Sequence, residues 1–221
     1  MESLKIEKFK RQLPEFLLEA DFTVNPGERL TLTGQSGCGK STLMRWISGV
    51  EVCPNGSGKI KLGSDDLTHA SPQCREFGVV FQEAVLFSEL TVLENAAFGL
   101  RMRGVMRKIR RDQVMPWLEK WGLCAHAERR VDTLSGGEKQ RLALIRAVVW
   151  KPRALLLDEP FSALDRKYRE GLRQDLLSLH AEWPVPLIFV THDREDVKSL
   201  STRELVCESV DGGRRHVWRD A

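Results

Sequence analysis

The stretch that decides the fold is Gly34-Gln35-Ser36-Gly37-Cys38-Gly39-Lys40-Ser41-Thr42. An alternating segment at 29–33 precedes it and is typical of a buried strand, and apolar residues at helical spacing follow it. A strand, a glycine-rich turn and a helix N-terminus form an anion site, because backbone N–H groups converge there and the helix dipole adds partial positive charge. The pattern therefore predicts a phosphate-binding loop.

The parts of this loop have separate predicted tasks. Glycine at 34, 37 and 39 lets the backbone approach phosphate oxygens where side chains would collide. We expect the Lys40 ammonium near the β- and γ-phosphates and the Ser41 hydroxyl on Mg²⁺. The residues predicted to contact a nucleoside triphosphate are Gly34, Ser36, Gly37, Cys38, Gly39, Lys40, Ser41 and Thr42.

Composition narrows the class of protein. The chain has 221 residues, of which 42% are hydrophobic and 29% charged, as in soluble globular proteins. A net charge of +3 is too small to imply a nucleic-acid partner. No stretch approaches the about 20 apolar residues that cross a bilayer. Glu2 and Glu7 stand among the N-terminal lysines without an apolar core, so no export signal is predicted.

The five cysteines are scattered, and no pair has CxxC spacing. This pattern predicts reduced thiols, neither a disulfide framework nor a metal site. Cys38 lies within the phosphate loop, where alkylation would block the nucleotide. The favoured interpretation of its native role is an inert small side chain.

A second motif, ALLLDEP at 154–160, predicts a buried parallel strand that ends at two carboxylates. Open α/β sheets bind ligands at this end of their strands. Two acids there are costly to bury unless a cation or a catalytic task retains them. We expect Asp158 to hold Mg²⁺ alongside Ser41, and Glu159 to accept a proton from the attacking water.

A third motif, LSGGEKQR at 134–141, opens a helical pattern. Ser135 is a predicted N-cap, and Glu138 three residues later completes a capping box. Gly136 and Gly137 leave backbone N–H groups uncovered, which makes a second anion-binding helix end. On capping alone this is an ordinary helix start, and the pattern does not say which phosphate it would meet.

LSGGEKQR resembles the signature motif of the ATP-binding cassette (ABC) ATPases. In that family the motif contacts the γ-phosphate of ATP held by the phosphate loop of a second subunit. The resemblance therefore implies that Ser135, Gly136 and Gly137 bind nucleotide across a dimer interface.

Further segments resemble this family in the family's order. Gln82, after an apolar strand, resembles the Q-loop glutamine, which links the Mg²⁺ and water site to a joint that touches the transport partner. Asp165, in SALD at 162–165, resembles the D-loop residue that communicates between the two sites. His192, in THD at 191–193, resembles the switch histidine near the γ-phosphate. The resemblance thus implies catalytic roles for Glu159, His192, Gln82 and Lys40, and metal ligands at Ser41, Gln82 and Asp158.

The adenine platform departs from the family pattern. The family stacks the base on an aromatic residue upstream of the phosphate loop, but positions 11–13 are Arg-Gln-Leu. We predict that Phe9 stacks on adenine, because base stacking on an aromatic face is worth about 1–3 kcal/mol. Phe16 is expected to face the core of its strand, and the Arg11 guanidinium is the alternative platform.

These elements predict an α/β fold: a P-loop NTPase core with a mostly parallel sheet, an antiparallel β subdomain and an inserted helical subdomain. The expected core strands are 29–33, 77–81, 154–158 and 186–191, the antiparallel segments 1–32 and 57–63, the helices 91–102, 112–121 and 165–182, and a terminal hairpin 204–218. We expect one domain over 1–221, in which a helical subdomain at 83–135 interrupts a core of 1–82 and 136–221.

The resemblance implies an ATPase that dimerises around ATP with an identical or paralogous cassette. It would power solute transport by separate integral membrane permease subunits, with a substrate-binding protein as a further partner. Segment 81–95 resembles import cassettes, which implies a peripheral protein on the cytoplasmic face of the inner or plasma membrane. A soluble assembly scaffold of the iron–sulfur cluster type has the same motifs and stays the alternative. The transported substrate is not encoded here.

Two surface segments allow two interpretations each. The basic run at 101–111 would contact lipid headgroups or an acidic partner loop, or is a solvated helix face, which is favoured. The apolar cluster at 85–87 would contact a permease helix or be buried within the chain.

Overall fold

The computed structural model describes residues 1–52, 56–162, 164 and 166–221. The predictions for Cys53 and for Ala163 and Asp165 of the SALD segment lie outside this description. The helices are α1 (Lys40–Ser48), α2 (Pro72–Arg75), α3 (Val92–Ala96), α4 (Phe98–Met102), α5 (Arg107–Lys120), α6 (Gly136–Val148), α7 (Arg166–Glu182) and α8 (Arg194–Leu200). The strands are β1 (Leu4–Gln12), β2 (Leu17–Val24), β3 (Arg29–Thr33), β4 (Ser57–Leu62), β5 (Asp65–Asp66), β6 (Phe77–Val80), β7 (Ala154–Asp158), β8 (Leu187–Val190), β9 (Arg203–Val210) and β10 (Arg215–Asp220).

The ten strands form one sheet in the order β5-β4-β1-β2-β10-β9-β3-β8-β7-β6. The part from β9 to β6 is parallel, and the part from β5 to β2 is antiparallel. The predicted α/β fold is therefore confirmed. The terminal hairpin β9–β10 lies between the two parts, because β9 pairs with β3 and β10 with β2. A strand pair predicted only as a terminal hairpin is thus the link that makes the sheet continuous.

Strand β7 shows how the core is divided. All five of its residues are buried. Leu155 and Leu157 belong to one hydrophobic cluster, and Leu156 belongs to the other, because successive side chains of a strand point to opposite faces. The first cluster includes Val92 and Leu118 from the helical segment. That segment therefore packs directly on one face of the sheet, while its boundary at 83–135 stays a prediction.

Several predicted boundaries are wrong by one to five residues. Strand β6 ends at Val80 and β8 covers Leu187–Val190, both shorter than predicted. The single helix predicted at 91–102 is two short helices that meet at Ala97. The helix predicted from 112 begins at Arg107, because arginine and lysine propagate a helix well even without an apolar pattern.

Candidate active site

The phosphate loop connects β3 to α1 and wraps around the Lys40 side chain. The Lys40 ammonium donates hydrogen bonds to the carbonyl oxygens of Gly34 and Gln35, at 2.8 and 2.9 Å. Gly39 has a φ of 107°, and a Cβ there would lie 2.8 Å from Leu18 Cδ2. Glycine is therefore required at 39 by both its backbone conformation and the close approach of β2.

A cavity of about 260 Å³ lies beside this loop. It is lined by Ser36, Gly37, Gly39, Lys40, Ser41, Thr42, Gln82, Asp158, Glu159, Val190 and His192. These residues come from four separate stretches of sequence. They meet because β3, β8, β7 and β6 are parallel neighbours, and the carboxyl ends of parallel strands share one edge of the sheet.

Asp158 is the candidate metal ligand in this cavity. Its side chain is buried, and burial raises the pKa of the Asp158 carboxyl, while a hydrogen bond with Ser41 and nearby positive charge oppose that rise. A buried carboxylate beside a hydroxyl is a donor set that suits Mg²⁺, and bound cation would favour the ionised carboxyl. The Gln82 side chain reaches the same cavity. Ser41, Gln82 and Asp158 therefore fit the predicted metal site.

Glu159 follows Asp158 in a strained conformation. Its φ is 49°, in the left-handed region that residues other than glycine rarely adopt, and its amide donates to the Val190 carbonyl at 3.0 Å. Burial raises the pKa of Glu159, and the His192 charge opposes this. Glu159 Oε1 lies 3.3 Å from His192 Nε2 and makes no well-aligned hydrogen bond within the described residues. A buried carboxylate of raised pKa with a free acceptor suits a general base.

The signature segment lies outside this cavity. Ser135 and Glu138 form the predicted capping box: the Ser135 amide donates to Glu138 Oε2 at 2.8 Å, and the Glu138 amide donates to Ser135 Oγ at 3.4 Å. A Cβ added to Gly136 would meet no atom within 4 Å. The N-terminus of α6 is therefore capped but uncovered. The protomer brings Lys40, Asp158, Glu159, Gln82 and His192 together, and leaves Ser135, Gly136 and Gly137 apart from them.

The prediction that Phe9 stacks on adenine is wrong. Phe9 is 1% exposed, and its ring packs against Trp46 with the centroids 4.2 Å apart. A β-bulge between Ile6 and Phe9, where Lys8 has a φ of 49°, shifts the alternation of β1 by one residue and turns Phe9 into the core, so it offers no free face to a base. Phe16 is also buried, as expected, and stacks on His216. Arg11 pairs with Glu51.

Sequence reasoning missed that the terminal hairpin contacts the phosphate loop. Cys207 of β9 donates from Sγ to the Cys38 carbonyl at 3.5 Å, and His216 Nδ1 lies 3.3 Å from the same oxygen. No local signal predicts these contacts, because 169 and 178 positions separate the partners.

The fold and the cavity define a phosphate-loop NTPase with a second, uncovered anion-binding helix end. A family model described as ABC transporter matches residues 17–162, so the chain belongs to the ABC transporter family.

The chain is similar to two curated relatives. They are the spermidine/putrescine import ATP-binding proteins PotA of Escherichia coli (strain K12) and of Shigella dysenteriae serotype 1 (strain Sd197). Each is 42% identical over 210 residues, which cover 93% of this chain and 55% of the relative. The chain thus spans about half the length of these curated relatives.

Among solved structures, the dimeric structure of MJ0796, a bacterial ABC transporter cassette, matches with a TM-score of 0.80 and 26% identity, over 92% of this chain and 93% of that one. Within the residues that the structure describes, no helix is both long and apolar enough to cross a membrane.

Proposed function

We propose that this chain binds ATP with Mg²⁺, hydrolyses it in a site completed by a second cassette, and so drives solute import by separate membrane permease subunits. One observation carries the proposal. Lys40, Asp158, Glu159 and His192 share one cavity, while the capped α6 end with Gly136 is uncovered and outside it.

The chain's own residues have separate roles in hydrolysis. The loop amides and the Lys40 ammonium bind the phosphates and stabilise the charge that develops on them. Ser41, Gln82 and Asp158 hold Mg²⁺, which when bound neutralises phosphate charge. Glu159 accepts the proton of the attacking water. His192, 3.3 Å from Glu159, helps to orient that water and the γ-phosphate.

The second cassette supplies the missing anion contacts. Gly136 and Gly137 begin α6 at its uncovered end, where a Cβ on Gly136 would meet no atom within 4 Å, and a helix N-terminus favours negative charge there. The likeness to a dimeric ABC cassette supports this arrangement. In the proposal the γ-phosphate is bound by Lys40 of one protomer and by Gly136 and Gly137 of a second, identical or paralogous protomer. Asp165 is assigned to the communication between the two sites.

Coupling to import is supported by the relatives and by an exposed apolar surface. The relatives are import ATP-binding proteins, which favours import over an iron–sulfur scaffold. A groove of about 460 Å³ next to Gln82 is lined by Val85, Phe87 and Trp150 among others, and Val85 is 65% exposed. We assign this groove to a permease segment, which places the protein peripherally on the cytoplasmic face of the membrane. In the proposal, the permease and a substrate-binding protein determine which solute is imported.

Glu159→Gln tests the catalytic part of the proposal. We expect turnover to fall about 10²–10⁴-fold, because an amide cannot accept the proton of water at neutral pH. ATP affinity, measured by equilibrium binding, should be unchanged. The matched control is Glu119→Gln, an exposed glutamate on α5. Hydrolysis at the control rate by a pure Glu159→Gln protein would exclude Glu159 as the base.

The coupling part is tested by purification in detergent. We expect the chain to be recovered with an integral membrane protein, and Val85→Asp to weaken that association while ATP affinity is kept. Recovery in a wholly soluble complex would favour the scaffold alternative instead.

A further inference from the structure

The sulfur atoms of Cys38 and Cys207 converge behind the phosphate loop. Cys207 Sγ donates a hydrogen bond to the Cys38 carbonyl at 3.5 Å. A Cβ built on Gly34 would lie 2.8 Å from Cys207 Cβ and 2.9 Å from Cys38 Sγ. Both cysteine side chains therefore point to the same small space, which stays open to them because residue 34 is glycine. A disulfide requires the two Cβ atoms to lie about 3.5–4.5 Å apart, so the two side chains would have to close on this shared space for the bond to form.

The surroundings of the two thiols differ in charge. The Lys40 ammonium lies 3.8 Å from Cys38 Sγ. When the Cys207 thiol turns from the Cys38 carbonyl to the Cys38 sulfur, its hydrogen bond, together with the charge of Lys40, lowers the pKa of Cys38 to about 6 against the opposing effect of burial. The same hydrogen bond and burial raise the pKa of Cys207. Cys38 is therefore the thiolate of the pair at neutral pH, and Cys207 keeps its proton.

Access to the pair is restricted to small reagents. Cys38 is 5% exposed and Cys207 is half-buried. Cys74 and Cys124 are exposed and have no such partner arrangement in the described part of the chain. Among these four cysteines, Cys38 is the one whose thiolate lies beside a second thiol, and its burial admits only a small oxidant.

We propose that Cys38 and Cys207 form a redox site, at which a peroxide oxidises the two thiols to a disulfide that reversibly closes the phosphate loop to nucleotide. This goes beyond the proposed function, because it adds a second, covalent control of the same loop.

The chemistry balances with peroxide as the oxidant. The Cys38 thiolate attacks the O–O bond and takes one oxygen as sulfenic acid, and hydroxide leaves and is protonated to water. The Cys207 sulfur then attacks the sulfenic sulfur, a second water leaves, and the S–S bond forms. The two thiols lose two electrons and the peroxide gains two. A dithiol reductant reverses the reaction by thiol–disulfide exchange.

The disulfide would act on the loop backbone. Cys38 lies between Gly37 and Gly39, which line the phosphate cavity, and Cys207 lies on β9, which is fixed in the sheet. Joining the two fixes the loop to β9 and removes the thiolate beside Lys40. The amides can then no longer adjust to a triphosphate.

The experiment treats the full chain with hydrogen peroxide and follows two readouts. Non-reducing peptide mass spectrometry should detect a peptide pair linked through Cys38 and Cys207, 2 hydrogens lighter than the reduced pair. ATP affinity should fall at least about tenfold and return after dithiothreitol. Failure to find the 38–207 link, or full ATP affinity in the linked protein, would overturn the proposal.

Cys207→Ser is the decisive variant. It keeps the loop intact, so its ATP affinity and turnover without peroxide should equal those of the unaltered chain. With peroxide it should form no link, and dithiothreitol-reversible loss of ATP binding should be absent. Cys74→Ser is the matched control and should behave like the unaltered chain. Equal, reversible loss of ATP affinity in Cys207→Ser would show that Cys207 is not the resolving thiol and would reject the site.

Discussion

At the scale of single residues, the site is held by groups that are costly to bury. Asp158 is 6% exposed, and burial raises its pKa. A carboxyl whose pKa is raised on folding binds its proton more tightly in the folded chain. The free energy of unfolding therefore falls as pH rises through the range between the unfolded and folded pKa values of this group. The ionised site is thus destabilising at neutral pH, as is common where function requires a buried charge.

Asp158→Asn should consequently stabilise the protein without nucleotide at pH 7.5. We expect an increase in Tm of about 2–4 °C, the range for a stabilisation on the order of 1 kcal/mol in a chain of this size. Differential scanning calorimetry at pH 7.5 and at a series of lower pH values checks the sign, since the gain should shrink as pH falls through the range between the folded and unfolded pKa values and the carboxyl becomes protonated. Asp132→Asn, at an exposed position, is the control. A lower Tm for Asp158→Asn at pH 7.5 would contradict the electrostatic argument.

We expect Lys40 to act on the nucleotide directly. Its ammonium already satisfies two loop carbonyls, at 2.8 and 2.9 Å, and so lies within the loop that is predicted to bind phosphate. Loss of a charged hydrogen-bond donor costs about 1.5–3 kcal/mol, so Lys40→Ala should weaken ATP binding about 10- to 100-fold. Isothermal titration calorimetry measures this, with the exposed Lys108→Ala as control. Unchanged affinity would refute the phosphate-loop assignment.

At the scale of elements, helix α1 is held at its C-terminal end by a buried arginine. Arg75 Nη1 donates to the carbonyls of Trp46 and Ile47 at 2.8 and 2.7 Å, and the same guanidinium reaches the carbonyls of Ala70 and Thr68. The Trp46 and Ile47 carbonyls belong to the last turn of α1, where the helix leaves carbonyl hydrogen-bonding capacity unused although the Gly49 amide also donates to Trp46, and a positive charge is favoured at that end. Arg75 thereby positions the helix whose N-terminus forms the phosphate loop.

Arg75→Met should lower the free energy of unfolding by roughly 2–4 kcal/mol, because four carbonyls lose a buried charged donor. Urea denaturation followed by circular dichroism measures the change. Arg129→Met, at an exposed position, should stay within about 0.5 kcal/mol of the unaltered chain. Equal stability of the two variants would show that Arg75 does not hold α1.

At the scale of the whole molecule, one protomer holds two anion-binding ends that do not meet. The first end is the phosphate loop with Lys40, and the second is the α6 N-terminus with Gly136. A Cβ at Gly136 meets open space, so a substitution there should leave the fold of the protomer unchanged. It therefore tests only the association with a second protomer.

Gly136→Asp should preserve Tm and ATP binding to the monomer but abolish ATP-dependent dimerisation. A carboxylate facing the triphosphate of a second protomer costs several kcal/mol, so dimer affinity should fall at least about 100-fold. Light scattering of Glu159→Gln with ATP, with and without Gly136→Asp, measures this. Gly171→Asp, on α7 and equally open, is the matched control. Normal dimers of Gly136→Asp would end the shared-site proposal.

Short sequence patterns were enough to predict which segments of this protein would bind phosphate or a cation. A phosphate loop, a strand ending in two acids and a capped glycine pair each depend on backbone conformation within a few residues, so Lys40, Asp158 and Ser135 could be assigned from their neighbours. Strand β7 was also predictable, because four consecutive apolar residues followed by Asp158 are typical of a strand that is covered on both faces, and all five are buried.

Only the tertiary structure decided which distant residues meet. It buries Phe9 against Trp46, inserts the terminal hairpin into the sheet, and brings Cys207 to Cys38. These outcomes follow from the packing of segments far apart in the chain. A short sequence pattern does not determine which distant segment packs against it. Residue types thus set what each segment is able to bind, and the sheet order sets what it touches.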